Sequence, residues 1–301
     1  NNLKPKGNPV KKIDTFLDYF TIMPVDLDPN GIILKINHLI HSRDDFIRTH
    51  VKSLFNEISD FEISKIQSFL EIVISLQLFH KTTRHLYLTA KKQKNFPLIL
   101  PLQMIIPFIM EEATALKESV ESMKNGQPMG DGIGPMVVGQ MMLDTSKQEA
   151  AFETVWSKTE FEGRGLLLVK AKGPNSTVGR TGEAIENIIP QEKPDLIIMI
   201  DAALKLEGED SASIAKGFGA AIGGIGTERF KIEEIATKNN IPILSLVVKQ
   251  TIREAVTLMS ENIAKQAKTV RDEVYDMINE NTKSGETVMI VGVGNTLGIL
   301  Q

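Results

Sequence analysis

The stretch Asp195-Leu-Ile-Ile-Met-Ile200, followed at once by Asp201, decides the fold. Leu196 to Ile200 is an unbroken apolar run, too short for a helix and bounded by Lys193-Pro194 on one side and a carboxylate on the other. A short run that is hydrophobic on both faces suits a strand buried between two layers of helices, as in a parallel sheet. The same texture recurs at Gly165–Ala171 (GLLLVKA), Ile243–Val248 (ILSLVV) and Thr287–Val293 (TVMIVGV). Helical segments separate them: Gly182–Ile189, Glu228–Lys238 and a long Thr251–Asn281. Strands alternating with helices predict an α/β fold, a three-layer α/β/α sandwich.

Upstream the pattern differs. Residues 10–125 read as helices without a strand signal, which divides the chain into a helical region, 1–125, and an α/β domain, 126–301. Asp28-Pro29 suits a helix start. Ile32, Ile33, Ile36, Leu39 and Ile40 then recur at helical spacing, and Ser42 with Asp45 predicts the start of a second helix. A long helix follows from Glu62 to about Thr89. Another runs from about Leu100 to Lys124 and stops at Asn125-Gly126. Phe96 to Met110 is strongly apolar but holds Pro97, Pro101 and Pro107 and falls short of a membrane span, so it reads as a buried, proline-interrupted segment of a soluble chain.

Composition narrows the chemistry. Of 301 residues 42% are hydrophobic and 24% charged, which suits globular domains and excludes disordered and fibrous classes. No cysteine is present, so disulfides, thiolate metal sites and cysteine nucleophiles are excluded. The net charge of −4 argues against a general nucleic-acid binder. All five histidines (His38, His41, His50, His80, His85) lie in the first 85 residues. The α/β half therefore carries no Ser-His-Asp or histidine–metal site of its own.

Candidate site residues cluster where strands end, the usual ligand edge of such sheets. Asp201 closes a strand there; the plainer alternative is that it caps a following helix, Ala202–Leu206. Asp131 sits in the turn Gly130-Asp-Gly132-Ile-Gly134-Pro135, ahead of an apolar helix. The run Gly292-Val-Gly294-Asn295 follows a strand with dinucleotide-like glycine spacing, but no helix follows to receive a pyrophosphate, so no nucleotide cofactor is expected. Gly217-Phe-Gly219 opens a glycine-rich loop that folds over the site or simply packs closely. Between Lys170 and Gly182 a glycine-rich basic loop precedes a helix, and Lys172 and Arg180 would hold an anion there unless the loop is only a solvated connection.

Three segments, read in order, resemble the spore germination protease: Gly182–Ile189, Lys193–Ala202 and Asn240-Ile-Pro-Ile-Leu-Ser-Leu246. The hydrogenase maturation endopeptidases are similar at greater distance. The resemblance implies a phosphorylase/hydrolase-like fold in which a strand ending GxGN leads to a D-x-(L/I/V)-G-P turn, and a later strand ends in a second aspartate. Here the halves of the first motif are reversed, Asp131-Gly-Ile-Gly-Pro135 coming early and Gly292-Val-Gly-Asn295 last, which implies a circular permutation with residues 286–295 as the family's first strand. The whole chain also resembles a family of archaeal proteins described as a domain of unknown function, many with an N-terminal membrane segment.

The resemblance implies a peptidase-like hydrolase acting on a peptide or protein substrate, with Asp131 and Asp201 as general acid and base or as ligands of one divalent metal. Gly130, Gly132, Gly134, Lys172, Arg180, Lys205, Gly217, Gly219, Gly292, Gly294 and Asn295 would bind substrate or ligand. Lys205, one helical turn beyond Asp201, would offset part of the charge there unless it points to solvent. The alternative is a non-catalytic ligand-binding or assembly protein that keeps the protease-like fold. The helical region would serve association, in a homo-oligomer, or membrane positioning, unless it only covers one face of the α/β domain. Lys4, Lys6, Lys11 and Lys12 suit the cytoplasmic flank of an anchor upstream of residue 1, the one expected route to a membrane.

Overall fold

The computed structural model describes residues 31–94, 96–224 and 226–300. The helix start at Asp28-Pro29 and the lysines at 4, 6, 11 and 12 lie outside the described residues. The helical region consists of α1 (Ile32–Ser53), α2 (Asp60–Gln93) and α3 (Phe96–Asn125). Helix α1 runs unbroken past Ser42, since no glycine or proline interrupts it. Ser59 caps α2 by accepting the Glu62 amide, and Gly126 at φ +64° follows the last turn of α3, as expected of Asn125-Gly126. The proximal halves of α2 and α3 pack through Ile72, Leu76, Leu116, Val120 and Met123 onto Met129 and Leu297 of the α/β domain.

The distal half of α3 corrects the sequence expectation. Pro101 and Pro107 stand inside a continuous helix, and of the side chains from Phe96 to Met110 only Leu102 is buried. The segment is apolar and open to solvent.

In the α/β domain a one-turn 3-10 helix (Gly130–Gly132) leads into α4 (Ile133–Met141). There follow β1 (Lys147–Ala151), β2 (Thr154–Phe161), β3 (Arg164–Ala171), α5 (Thr181–Glu192), β4 (Leu196–Leu204) and β5 (Ile214–Phe218). The chain continues with α6 (Thr227–Lys238), β6 (Ile243–Gln250), α7 (Ile252–Val256), α8 (Glu261–Asn281) and β7 (Thr287–Gly292). The sheet order is β1-β2-β3-β7-β4-β6-β5. The four apolar runs form its parallel centre, β3-β7-β4-β6, while β1, β2 and β5 pair antiparallel at the edges. The sheet is thus mixed. The sequence hides its outer strands because they are half-exposed and carry charges such as Lys147, Lys158 and Lys216.

Alternate residues of the central strands feed two cores, as the period of two requires. Leu166, Leu168, Ile198, Ile200, Val288 and Ile290 meet α4 and α8 on one face. Leu167, Val169, Ile197, Met199, Met289 and Val291 meet α5 and α6 on the other. Helices on both faces make three layers. The long helix predicted over Thr251–Asn281 is two: Thr251 closes a capping box with Glu254, Leu258 bridges to Met129, and Ser260 caps α8.

Candidate functional site

β7 stops at Gly292, opposite Ile200, while β4 continues in register with β6 through Leu204. The Val293 amide still donates to Ile200 O at 2.8 Å. A crevice therefore opens at the C-terminal edge of the sheet, and Asp201 is the first residue of β4 beyond the end of β7. No helix Ala202–Leu206 exists: Ala202–Leu204 extend β4, because β6 offers a partner up to Gln250. Asp201 thus does not cap a helix, although its Oδ1 accepts the Ala202 amide at 2.8 Å.

Asp131 reaches the same crevice from the other side. The turn that carries it lies directly on the end of β7, and glycines permit the approach. A Cβ at Gly134 would stand 2.4 Å from both Ile200 O and Val293 O. Gly294, at φ +136°, passes the Asp131 carbonyl so closely that a Cβ would stand 2.0 Å from it. The Asn295 amide then donates to Asp131 Oδ2 at 2.8 Å. The DGIGP turn and the GVGN strand end, 160 residues apart in the chain, form one unit. Gly130, Gly132, Gly134 and Gly292 are its buried packing positions and do not line the crevice; Gly294 and Asn295 do.

The crevice is a cleft of about 650 Å³ with Asp131 and Asp201 in its lining. Burial pushes both carboxyls up. Asp201, 6% exposed, is pushed to about 8 by burial and then by the Asp131 charge, against the amides of Ala202 and Gly223 and the charge of Arg229. Asp131 is raised by burial alone, and its bond from Asn295 favours the ionised form. At neutral pH the pair holds a proton.

The opposite wall comes from the helical region. Asn37, His41, Arg43, Asp44 and Arg48 of α1 and Ser64, Gln67, Ser68 and Glu71 of α2 face the cleft. Sequence reasoning missed this, since it counted the histidines of the helical region out of the chemistry. His41 stands 3.9 Å from Glu228, yet burial and then Arg180 hold it below its ordinary value, so it is neutral at pH 7. The wall is fastened by a buried pair, Arg48 to Glu153 at 3.2 Å, by Arg180 to Asp45 at 3.1 Å and by Ser68 to Ser176 at 2.8 Å. Ser176 Oγ also accepts from Asn295 Nδ2 at 3.3 Å, so one chain of polar contacts runs from α2 to the Asp131 turn.

Other predicted residues are placed elsewhere or used differently. Lys172 pairs with Glu149 at the surface. Arg180 lines the cleft, but the N-terminus of α5 beside it is closed by the chain's own Glu228, which accepts the Gly182 amide at 2.7 Å. Lys205 follows β4, donates to Glu209 O and stands away from the cleft lining. Gly217 lies in β5 and Gly219 opens the loop, whose Gly223, Gly224 and Gly226 reach the cleft instead. For a divalent cation the cleft supplies two carboxylates; no group of three or more His, Asp or Glu able to hold a metal occurs among the described residues. A cation there would take most of its shell from water.

A family model described as "Domain of unknown function (DUF1512) C-terminal" matches residues 129–300, and one described as "Protein of unknown function (DUF1512) N-terminal domain" matches residues 1–126. Among curated proteins, the germination protease of Clostridium perfringens (strain 13 / Type A) is 28% identical over 189 residues, 60% of this chain and 55% of that protein. The germination protease of Clostridium acetobutylicum is 27% identical over 148 residues, 48% of this chain and 43% of that protein. The chain spans about half the length of the curated relatives it matches.

Proposed function

The chain belongs to the DUF1512 family, and we propose that its α/β domain is a peptidase-like hydrolase whose acid–base pair is Asp131 and Asp201. One observation carries this reading: two carboxyls 70 residues apart, one from a turn and one from strand β4, face one partly dry cleft, and the charge of one raises the other. Asp201 holds its proton and serves as general acid toward the leaving amine. Asp131, supported in its ionised form by the Asn295 amide, serves as general base on the attacking water. Paired carboxyls with pKa values driven apart are the usual way one site supplies both roles at one pH.

The same reading takes the domain to be a circular permutant of the protease fold. It is supported by the place of β7, which closes the chain yet lies between β3 and β4, beside the Asp131 turn. The test is direct. The full chain, Asp131→Asn and Asp201→Asn are incubated with unfolded protein substrates, and new N-termini are sought by mass spectrometry. Cleavage by the native chain and by neither folded variant is expected. Cleavage that persists in both variants, or none by the native chain over a broad substrate set, overturns the assignment.

A further inference from the structure

Between Ile72 and Met110 the chain holds no aspartate or glutamate. Those 39 residues form the distal half of α2 and the first half of α3, away from the cleft. On α2 the cations Lys81, Arg84, Lys91 and Lys92 are exposed, as is Lys94 beyond its end, and none of the five makes an ion pair among the described residues. That contrasts with the body of the molecule, where Arg48, Lys158, Arg180, Lys231 and Lys249 are all paired. On α3, Phe96, Leu100, Met104 and Phe108 repeat every fourth residue as one stripe, at 77%, 63%, 68% and 69% exposure. Ile105, Ile106 and Met110 extend the stripe around the helix, and Tyr87 and Leu88 of α2 are exposed as well. A contiguous apolar surface of this kind marks an interaction site.

We infer that this distal hairpin docks on a phospholipid surface bearing anionic headgroups. Charge complementarity selects that occupant. A second copy seated on the same face would set five unpaired cations against their own images, with no carboxylate in the segment to answer them. An anionic bilayer meets both halves of the surface at once: phosphate oxygens face the lysines and arginine of α2, and the acyl boundary takes the apolar stripe of α3. Aromatic residues at Tyr87, Phe96 and Phe108 suit that boundary. By length and composition α3 is long and apolar enough to cross a membrane. Its charge-free part, however, ends at Glu111-Glu112 after 15 residues, about 22 Å of helix. The hydrocarbon core is about 30 Å thick, so α3 lies in the interface and does not span it. The rest of this acidic chain is repelled by such a surface, which fixes which end approaches. α2 then holds the cleft, lined by its Ser68, roughly 35 Å from Lys91 at the docked end.

The inference does not depend on the peptidase assignment, and its test reads lipid binding alone. The full chain is floated with phosphatidylcholine vesicles, with and without phosphatidylglycerol. Flotation with the anionic vesicles only, weakened by salt, is expected. Replacing Lys81, Arg84, Lys91, Lys92 and Lys94 together by Gln should weaken it by at least about tenfold, and Leu100→Ser, Met104→Ser and Phe108→Ser together should abolish it. The replaced side chains are exposed, so the thermal transition of both variants should match that of the native chain. Absence of flotation, or flotation indifferent to vesicle charge, overturns the inference. So does a dimer in sedimentation equilibrium that the triple Ser variant disperses, since a second copy would then cover α3.

Discussion

Replacing Asp201 by Asn separates burial of a charge from burial of a shape. With its carboxyl pushed up to about 8, Asp201 keeps a proton in the folded chain that it gives up in the unfolded chain near its ordinary value of 3.8. Between these values the native state binds more protons than the unfolded state, so stability falls as pH rises, by up to about 1.4 kcal/mol per unit for one proton. The loss begins near pH 4 and is complete only above about 8. Asn cannot ionise and drops this slope, while the raised pKa of Asp131 acts in both proteins. It also gives up one of two acceptors, now used by the Ala202 and Gly223 amides, a pH-independent cost of about 1 kcal/mol. By pH 5 the native chain has already lost more than this cost, so the variant should stand level with or slightly above it there and gain about a further 2–3 kcal/mol by pH 7. Urea unfolding followed through Trp156, the single tryptophan and buried in β2, gives both curves. Parallel pH dependences would show that Asp201 ionises freely in the folded protein, and the acid role assigned to it would fall with that result.

The remaining expectations concern what holds the pair in place. Gly294→Ala forces an alanine into positive φ with its Cβ against the Asp131 carbonyl, so a loss of at least about 2 kcal/mol in chemical denaturation is expected, with activity lost beyond what stability explains. Arg48→Met strands the buried Glu153 carboxylate and should cost about 3 kcal/mol, part of it regained when Glu153→Gln is added; strict additivity of the two would refute the pairing. Deleting residues 286–301 removes Val288, Met289, Ile290 and Val291, all fully buried, at about 1.5–3 kcal/mol each. That sum matches a whole domain's stability, so no cooperative melt should remain in calorimetry.

The centre of the sheet was legible because its strands are buried on both faces. GLLLVKA, DLIIMI, ILSLVV and TVMIVGV are too short for core helices and too continuous for half-exposed strands, and each became a parallel strand. The outer strands were not, because KQEAA at β1 and IAKGF at β5 owe their conformation to a neighbour's backbone and not to their own pattern. The break at Thr257–Ser260 escaped for a similar reason. Nothing local stops the helix before Ser260, and the bridge from Leu258 to Met129 is set by tertiary contact. Phe96–Met110 misled in the opposite direction, since apolarity and proline suggested burial where the helix is continuous and exposed.

The aspartates were legible as positions and illegible as a site. A carboxylate after a buried strand can be read from order alone, and Asp201 was; its surroundings cannot, because they come from four separated parts of the chain. The glycines show the difference most sharply. Those around Asp131 looked like ligand contacts, but backbone packing uses them: Gly134 beneath Ile200 O, Gly292 against Gly134, Gly294 beneath Asp131 O. Such close approach serves the site indirectly, by bringing a turn onto a strand end so that two carboxyls share one cleft. The helical region completes the same logic. His41, Arg43 and Arg48 carry no ligand spacing in the sequence, and they matter only because α1 lies across the open edge of the sheet. The cleft is walled on one side by the helical region. If the cleft takes a substrate as proposed, the Arg48–Glu153 and Ser68–Ser176 contacts that fasten that wall should govern access as well as stability. An Arg48→Met chain that cleaves folded or bulky substrates faster than the native chain, despite its lower stability, would be the direct sign of it.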